Sequence, residues 1–131
     1  MKTRASDMMI AGKAVAQAMQ IYKLITGEYT NDPNKLDIEM SGAVNSINES
    51  TGLGRMILEN FDISIRPKEA DFIVVRSADG RKHQPIIYEI IFNVNGSIGC
   101  RFKESKGEEL CLYLGGKNKT IYGGEWYQYK L

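Results

Sequence analysis

The fold class is decided by residues 86–102, which read IIYEIIFNVNGSIGCRF. Apolar side chains recur at every second position before Asn95-Gly96, which is the alternation of a strand with one buried face. The Asn-Gly pair supplies the positive φ angles that a tight hairpin requires, and the alternation resumes over 98–102. The stretch therefore predicts two antiparallel strands joined by a tight turn.

Two segments upstream of this hairpin also have strand character. Residues 61–66 alternate apolar and polar side chains, which predicts a strand with one buried and one wet face. Residues 72–76 predict another strand, followed by a turn at Asp79-Gly80. With the hairpin, these segments predict an antiparallel sheet of about four strands.

The flanks of these strands are less regular. Residues 31–54 are rich in Asn, Ser, Thr and Gly, so they predict one long connection with only short ordered turns. The apolar segment 110–114 and the alternating segment 126–131 are expected to join the sheet or its edge.

Residues 3–26 predict one long helix, because Ala, Met, Lys and Gln dominate, proline is absent and Gly27 stands at the expected stop. At 1.5 Å per residue this helix spans roughly 36 Å. One apolar stripe at spacings of three and four must face a core or a partner: Ala5, Met8, Gly12, Val15, Met19 and Tyr22. A second apolar set is richer in small residues: Met9, Ile10, Ala14, Ala16, Ala18 and Ile21. Contacts on more than one side of the helix are expected, although a helix enclosed in its own domain has the same need.

A helix followed by hairpin-connected strands is typical of an α+β domain with an antiparallel sheet packed on the helix. At 131 residues the chain predicts one domain. Its parts are a helix over 3–26, a connecting loop over 27–56, and a sheet with the C-terminal region over 57–131.

Charge and composition exclude several classes of partner and site. Seventeen Lys and Arg balance sixteen Asp and Glu, so no nucleic-acid partner is expected. The single histidine, His83, lies in a basic group with Arg81 and Lys82 that predicts a solvated loop, and it has no evident partner for catalysis. The Gly52-x-Gly54 fragment lacks the pattern of a dinucleotide loop. The sequence predicts no enzyme activity, no cofactor and no metal site.

The two cysteines, Cys100 and Cys111, leave three interpretations open. A disulfide between them closes a loop of about a dozen residues and contributes roughly 3 kcal/mol. Two buried reduced thiols would instead behave as small hydrophobic side chains. A redox site is disfavoured because the Cys-x-x-Cys spacing is missing. The first interpretation places the chain in an oxidising compartment.

Several segments together resemble a known family. Ala5-Ser6-Asp7 opens the helix, residues 14–22 read AVAQAMQIY, residues 26–30 read TGEYT, and Leu36-Asp37 follows. In this order the segments are similar to the type IV pilin-like proteins, including the pseudopilins of type II secretion. The late Cys100 and Cys111, with Leu114-Gly115-Gly116 after them, look like the C-terminal disulfide region of many pilins.

The resemblance implies a long N-terminal helix packed on the sheet, a disulfide-stapled C-terminal region and a structural role. Such a subunit builds a filament with copies of itself or with other pilin-like subunits, and is anchored in the inner membrane by an apolar helix. The head lies in the periplasm, or outside the cell in the filament. This sequence lacks the apolar start of the family, so the chain is expected to begin where the helix leaves the membrane. A calcium site of major pseudopilins is not expected, because residues 115–125 hold one acidic residue, Glu125.

The resemblance also divides the helix into two faces. We expect Met8, Val15, Met19 and Tyr22 to meet the sheet, with Gly12 in the same stripe. The small residues Ala14, Ala16 and Ala18 are expected to face the filament. An alternative function is a non-catalytic extracytoplasmic binding module that presents an aromatic C-terminal surface formed by Trp126, Tyr127 and Tyr129.

Overall fold

The computed structural model describes residues 2–77 and 85–131, with side chains from Arg4 onward. The described residues form two α-helices, a short 3₁₀ helix and eight strands. In chain order these are α1 (Lys2–Thr26), the 3₁₀ helix (Pro33–Lys35), β1 (Val44–Asn48), β2 (Leu53–Ile57), β3 (Asp62–Ile65), β4 (Ile73–Arg76), β5 (Tyr88–Phe92), β6 (Ile98–Phe102), α2 (Ser105–Tyr113), β7 (Lys117–Gly123) and β8 (Trp126–Lys130).

All eight strands form one antiparallel sheet in the order β1-β2-β3-β4-β5-β6-β8-β7. The prediction of an α+β, pilin-like fold with about four strands is therefore wrong, because the sheet has twice that number and dominates the chain. The extra strands are β1 and β2 at one edge and β8 and β7 at the other. β8 lies between β6 and β7, so the last strand of the chain is internal.

The region 31–54, predicted to be a long connection, contains β1 and the start of β2. The two strands pair in regular register from Val44 opposite Ile57 to Asn48 opposite Leu53. Their turn closes through the Gly52 N–H, which donates to the Asn48 carbonyl at 2.7 Å, and Gly52 takes a φ of +72° that favours glycine. The polar residues of β1 and of its hairpin turn have the composition of a loop. For this reason the region was predicted to be a connection.

Residues 110–114 do not join the sheet, because they lie in α2 and its C-cap. Leu110 and Cys111 are buried while Leu112 and Tyr113 are exposed. With Gly107, these buried residues follow the three-and-four spacing of a helix rather than the alternation of a strand. Residues 126–130, by contrast, form β8 inside the sheet.

The core lies between α1 and one face of the sheet. Ala5, Met8, Val15 and Met19 have no exposed surface. A Cβ atom at Gly12 would overlap the Phe92 ring, so glycine at this position lets α1 lie directly on β4 and β5. The core also takes in side chains of α2, β2, β3, β6 and β8: Met56, Ile63, Ile65, Cys100, Phe102, Leu110, Cys111 and Tyr129.

The hairpin predicted at Asn95-Gly96 is confirmed, since β5 and β6 pair antiparallel on either side of it. Gly96 has a φ of +90°, and the strand register ends with Phe92 opposite Ile98, so residues 93–97 form the turn and it is longer than a two-residue hairpin. The turn predicted at Asp79-Gly80 and the basic group at 81–83 lie outside the described residues. Neither helix in the described part of the chain has the length and apolar character needed to cross a membrane.

Candidate functional site: the outer face of the N-terminal helix

The side of α1 that faces away from the sheet carries large apolar side chains in solvent. Ile10 is 68% exposed, Ile21 48%, Leu24 86% and Ile25 77%. Scattered exposed apolar residues are normal on a soluble domain. Four large aliphatic side chains on a single helix, however, form a surface that another apolar surface can cover.

Three of these residues, Ile10, Ile21 and Leu24, belong to a regular row along the helix. Ile10, Ala14, Gln17, Ile21 and Leu24 follow one another at spacings of 4, 3, 4 and 3 residues. We call this row the outer seam. Its spacing is that of the a and d positions of a heptad, which is the pattern of a helix that packs along another helix. The seam extends over about 21 Å of helix.

The outer seam differs from the filament-facing set expected from the sequence. Of Ala14, Ala16 and Ala18, the structure places Ala16 and Ala18 against the core as partly buried residues. Residues two apart on a helix lie about 200° apart around the axis, so the three alanines cannot share one face. Ala14 alone lies on the outer seam, and the large residues around it carry most of the exposed apolar surface.

The inner stripe of α1 lies against the sheet. Met8, Val15 and Met19 are fully buried, Gly12 is buried, and Tyr22 is half-buried. The Tyr88 hydroxyl, on β5, donates to Met8 Sδ at 3.2 Å. Because burial disfavours the phenolate, it raises the pKa of Tyr88 to about 12, against a smaller opposing effect of Arg4.

A groove of 330 Å³ lies beside the first half of the outer seam. One wall is α1 itself, with Ile10 and Ala14, and the other is the chain segment that leads to β1, with Ile38 and Met40. The lining also includes the carboxylates of Asp7 and Glu39, so the groove adds a mixed apolar and acidic surface on one side of the seam.

The disulfide prediction is confirmed, with Cys100 of β6 bonded to Cys111 of α2. The bond attaches α2 to the sheet and is fully buried. Nearby, Lys119 Nζ and the Tyr129 hydroxyl each donate to Glu108 Oε2 at 2.8 Å. These two hydrogen bonds, the lysine's first, lower the pKa of Glu108, and the same bonds raise the pKa values of Lys119 and Tyr129. The group connects α2 with β7 and β8.

The C-terminal aromatic residues are divided between core and surface. Tyr129 is 9% exposed and stacks on Phe102 at 5.6 Å between ring centroids. Tyr127 also stacks on Phe102, at 5.7 Å, with Lys119 Nζ 4.9 Å above its ring. Trp126 alternates with Tyr127 along β8, so it lies on the other side of the strand. The three rings therefore do not form one platform.

The sheet face away from the helices carries a charged network that the sequence pattern did not predict. Asp62, which is 1% exposed, accepts hydrogen bonds from Arg55 Nη2 at 2.7 Å and from Arg76 Nε at 2.8 Å. Asp71 pairs with Arg101 at 3.4 Å and with Arg66 at 3.8 Å. The prediction that one face of residues 61–66 is exposed to water is therefore wrong, because Asp62 and Ser64 are buried.

Glu89 lies in the same network, opposite Arg76 and Arg101 on the neighbouring strands. Burial is the first cause that raises its pKa, and the arginines, Arg101 first, act in the opposite direction. Asp62, Asp71 and Glu89 thus each lie near more than one guanidinium. We interpret the network as a set of ion pairs that joins neighbouring strands across the polar face of the sheet.

A cleft of 830 Å³ lies at the C-terminal end of α1. Its described lining mixes the rings of Tyr22 and Tyr29 with charged side chains of both signs. Tyr29 is held in place by contacts of its own, since Lys23 Nζ lies 4.6 Å from its ring centroid and its ring lies 5.4 Å from that of Phe72.

Over residues 2–77 and 85–131, no three His, Cys, Asp or Glu side chains come together in a way that could hold a metal ion. No family model, no curated protein and no solved structure matches the chain. The resemblance to type IV pilin-like proteins therefore stays a prediction.

Proposed function

We propose that the chain is a non-catalytic structural subunit of a type IV pilus or pseudopilus filament, and that it assembles through the outer seam of α1. The observation that carries this proposal is the exposure of Ile10, Ile21 and Leu24 at heptad spacing. Burying such a row against a second helix removes apolar surface from water at about 25 cal/mol per Å². The partner is α1 of another subunit, either a copy of this chain or a related one.

Two further features support the proposal. The sheet holds α1 rigidly by its opposite face, so the seam is presented without a need for reordering, which lowers the cost of association. Ala14 lies in the middle of the seam and is small, which permits close approach of a second helix. In this proposal an apolar helix that precedes the sequence anchors the subunit in the inner membrane.

The disulfide supports an extracytoplasmic location, because such bonds persist in oxidising compartments and are rare in the cytosol. We place the head in the periplasm before assembly and on the filament surface afterwards.

The test is a charge on the seam. We expect Ile21→Glu to abolish filaments, because packing of a second helix on the seam would bury an unpaired carboxylate. The variant should still fold, because Ile21 is exposed in the single subunit. Filaments are counted by electron microscopy in cells that express the native gene, and folding is checked by circular dichroism of the purified head.

The matched control is Gln20→Glu, which adds the same charge one residue away and about 100° around the helix. Glutamate there keeps an acceptor for the Tyr29 hydroxyl, which bonds Gln20 Oε1 at 3.2 Å. Normal filaments from Ile21→Glu, or equal loss in both variants, would contradict the proposal.

A further inference from the structure

The open sheet has two edges, β1 and β7, and they differ in how well they are protected from pairing with another chain. An edge strand offers a row of unpaired backbone donors and acceptors, which natural proteins obstruct with lysines, prolines or bulges. A comparison of the two edges therefore shows where a further strand can add.

The β7 edge is obstructed. Lys117 and Lys119 lie on it, its pairing with β8 shifts register in two places, and Asn118 has a φ of +54°. A strand that adds here would meet an irregular backbone and two charges. A sheet continued through β7 is disfavoured.

The β1 edge has none of these devices. Its residues, Val-Asn-Ser-Ile-Asn, carry no charge and no proline, and its five pairs with β2 are in regular register. Val44 is 52% exposed and Ile47 39%. Asn45 Nδ2 donates to Asn34 Oδ1 at 2.9 Å, and the 3₁₀ helix contacts both β1 and β2, which places it over the face of this hairpin rather than beyond its edge.

The direction of the backbone groups of β1 follows from the hairpin. The Asn48 carbonyl accepts from the Gly52 N–H, so Asn48 directs its backbone groups towards β2. Because this direction alternates along an antiparallel strand, Asn45 and Ile47 direct theirs away from the sheet. Two N–H and two C=O groups are thus presented at the edge, on either side of Ser46.

We propose that β1 pairs antiparallel with β1 of a second copy of this chain, about a two-fold axis at Ser46. Asn45 then lies opposite the partner's Ile47 and Ile47 opposite the partner's Asn45, which gives four backbone hydrogen bonds. Ser46 lies opposite its own copy as a non-hydrogen-bonded pair. No charges of like sign meet, and a two-fold contact between identical edges closes on itself. The pairing is independent of the outer seam of α1.

The first test is cross-linking through Ser46→Cys, since both native cysteines are in the disulfide. A disulfide needs Cβ atoms roughly 4 Å apart, and the proposed axis brings the two Ser46 positions to about 5 Å, close enough with small adjustment. In the Val44→Cys control the two positions are roughly 13 Å apart. We expect Ser46→Cys to form a covalent dimer roughly tenfold faster under mild oxidation. Equal rates, or no dimer, would overturn the proposal.

The second test is sedimentation of the purified chain over a range of concentrations. We expect a reversible dimer, which Ile47→Pro converts to monomer because the outward N–H is lost, whereas Ile47→Val keeps it. Circular dichroism and thermal unfolding check that the proline variant is folded. A monomer at every concentration would overturn the proposal, as would a dimer that survives Ile47→Pro.

Discussion

Tyr88 shows how a single buried group makes stability depend on pH. The residue is 2% exposed and its pKa is raised from 10.0 to about 12. Below pH 10 both the folded and the unfolded chain hold the phenol proton. As the pH rises above 10 the unfolded chain releases the proton first, so the unfolded state gains stability and the folded state loses its advantage.

We therefore predict that Tyr88→Phe removes part of the alkaline loss of stability. Between pH 10 and 12 the unfolding free energy of the native chain should fall more steeply than that of the variant, by about 1.4 kcal/mol per pH unit. Urea unfolding at several pH values in this range measures both slopes. The two proteins differ in this one hydroxyl, so parallel slopes would contradict burial of Tyr88.

Asp62 illustrates what residue-level patterns leave out. Alternation over 61–66 places Asp62 and Ser64 on the same polar face of the strand, and this placement could be predicted from the sequence. Their burial depends on Arg55 and Arg76, which come from two other strands and cover the carboxylate. A single sequence does not indicate which strands will be neighbours, so burial of a polar face through such pairs could not be predicted.

At the scale of secondary-structure elements, the disulfide is the covalent link between α2 and the sheet. Cys100 and Cys111 are 11 residues apart. By the loop-closure argument a bond over this separation stabilises the fold by roughly 3 kcal/mol. We predict that Cys100→Ser with Cys111→Ser lowers the unfolding free energy by about that amount, measured by urea unfolding of the variant and of the native chain with its disulfide intact.

The unchanged chain under reducing conditions is the control for that prediction, since it loses the bond without a change of side chain. We expect it to lose a similar amount of stability, with hydrogen exchange accelerated first in α2 and β7. An unchanged unfolding free energy in both cases would show that packing of Leu110 and Tyr129 alone holds this region.

Elements differ in how visible they are in the sequence. α1 is long, and its inner stripe recurs at helical spacing over five turns, so the pattern dominates any local ambiguity. α2 has nine residues, too few for periodicity to separate a helix from a strand. β1 and β2 were missed because Asn, Ser and Gly at the hairpin have the composition of a loop. The outer seam could have been found from the spacing of Ile10, Ile21 and Leu24.

At the scale of the whole molecule, the two proposed contacts lie on separate surfaces. The outer seam lies on α1, which crosses β4 and β5 at the middle of the sheet, whereas β1 is a sheet edge. Additivity is expected for sites that share no partner, so Ile21→Glu and Ile47→Pro should each impair one contact and leave the other intact. The eight-stranded sheet acts in both cases as the rigid support.

In the proposed assembly, α1 packs along α1 of another subunit through the outer seam. Cross-linking of Ala14→Cys in assembled material from cells that express the native gene tests it most directly, because the substituted cysteine is the free thiol of the chain. Lys13→Cys is the control, exposed and about 100° away around the helix. Packing of the two seams in register places Ala14 opposite its own copy, so this arrangement predicts covalent dimers from Ala14→Cys and few or none from Lys13→Cys. Equal cross-linking of the two variants, or dimers from Lys13→Cys alone, would contradict it.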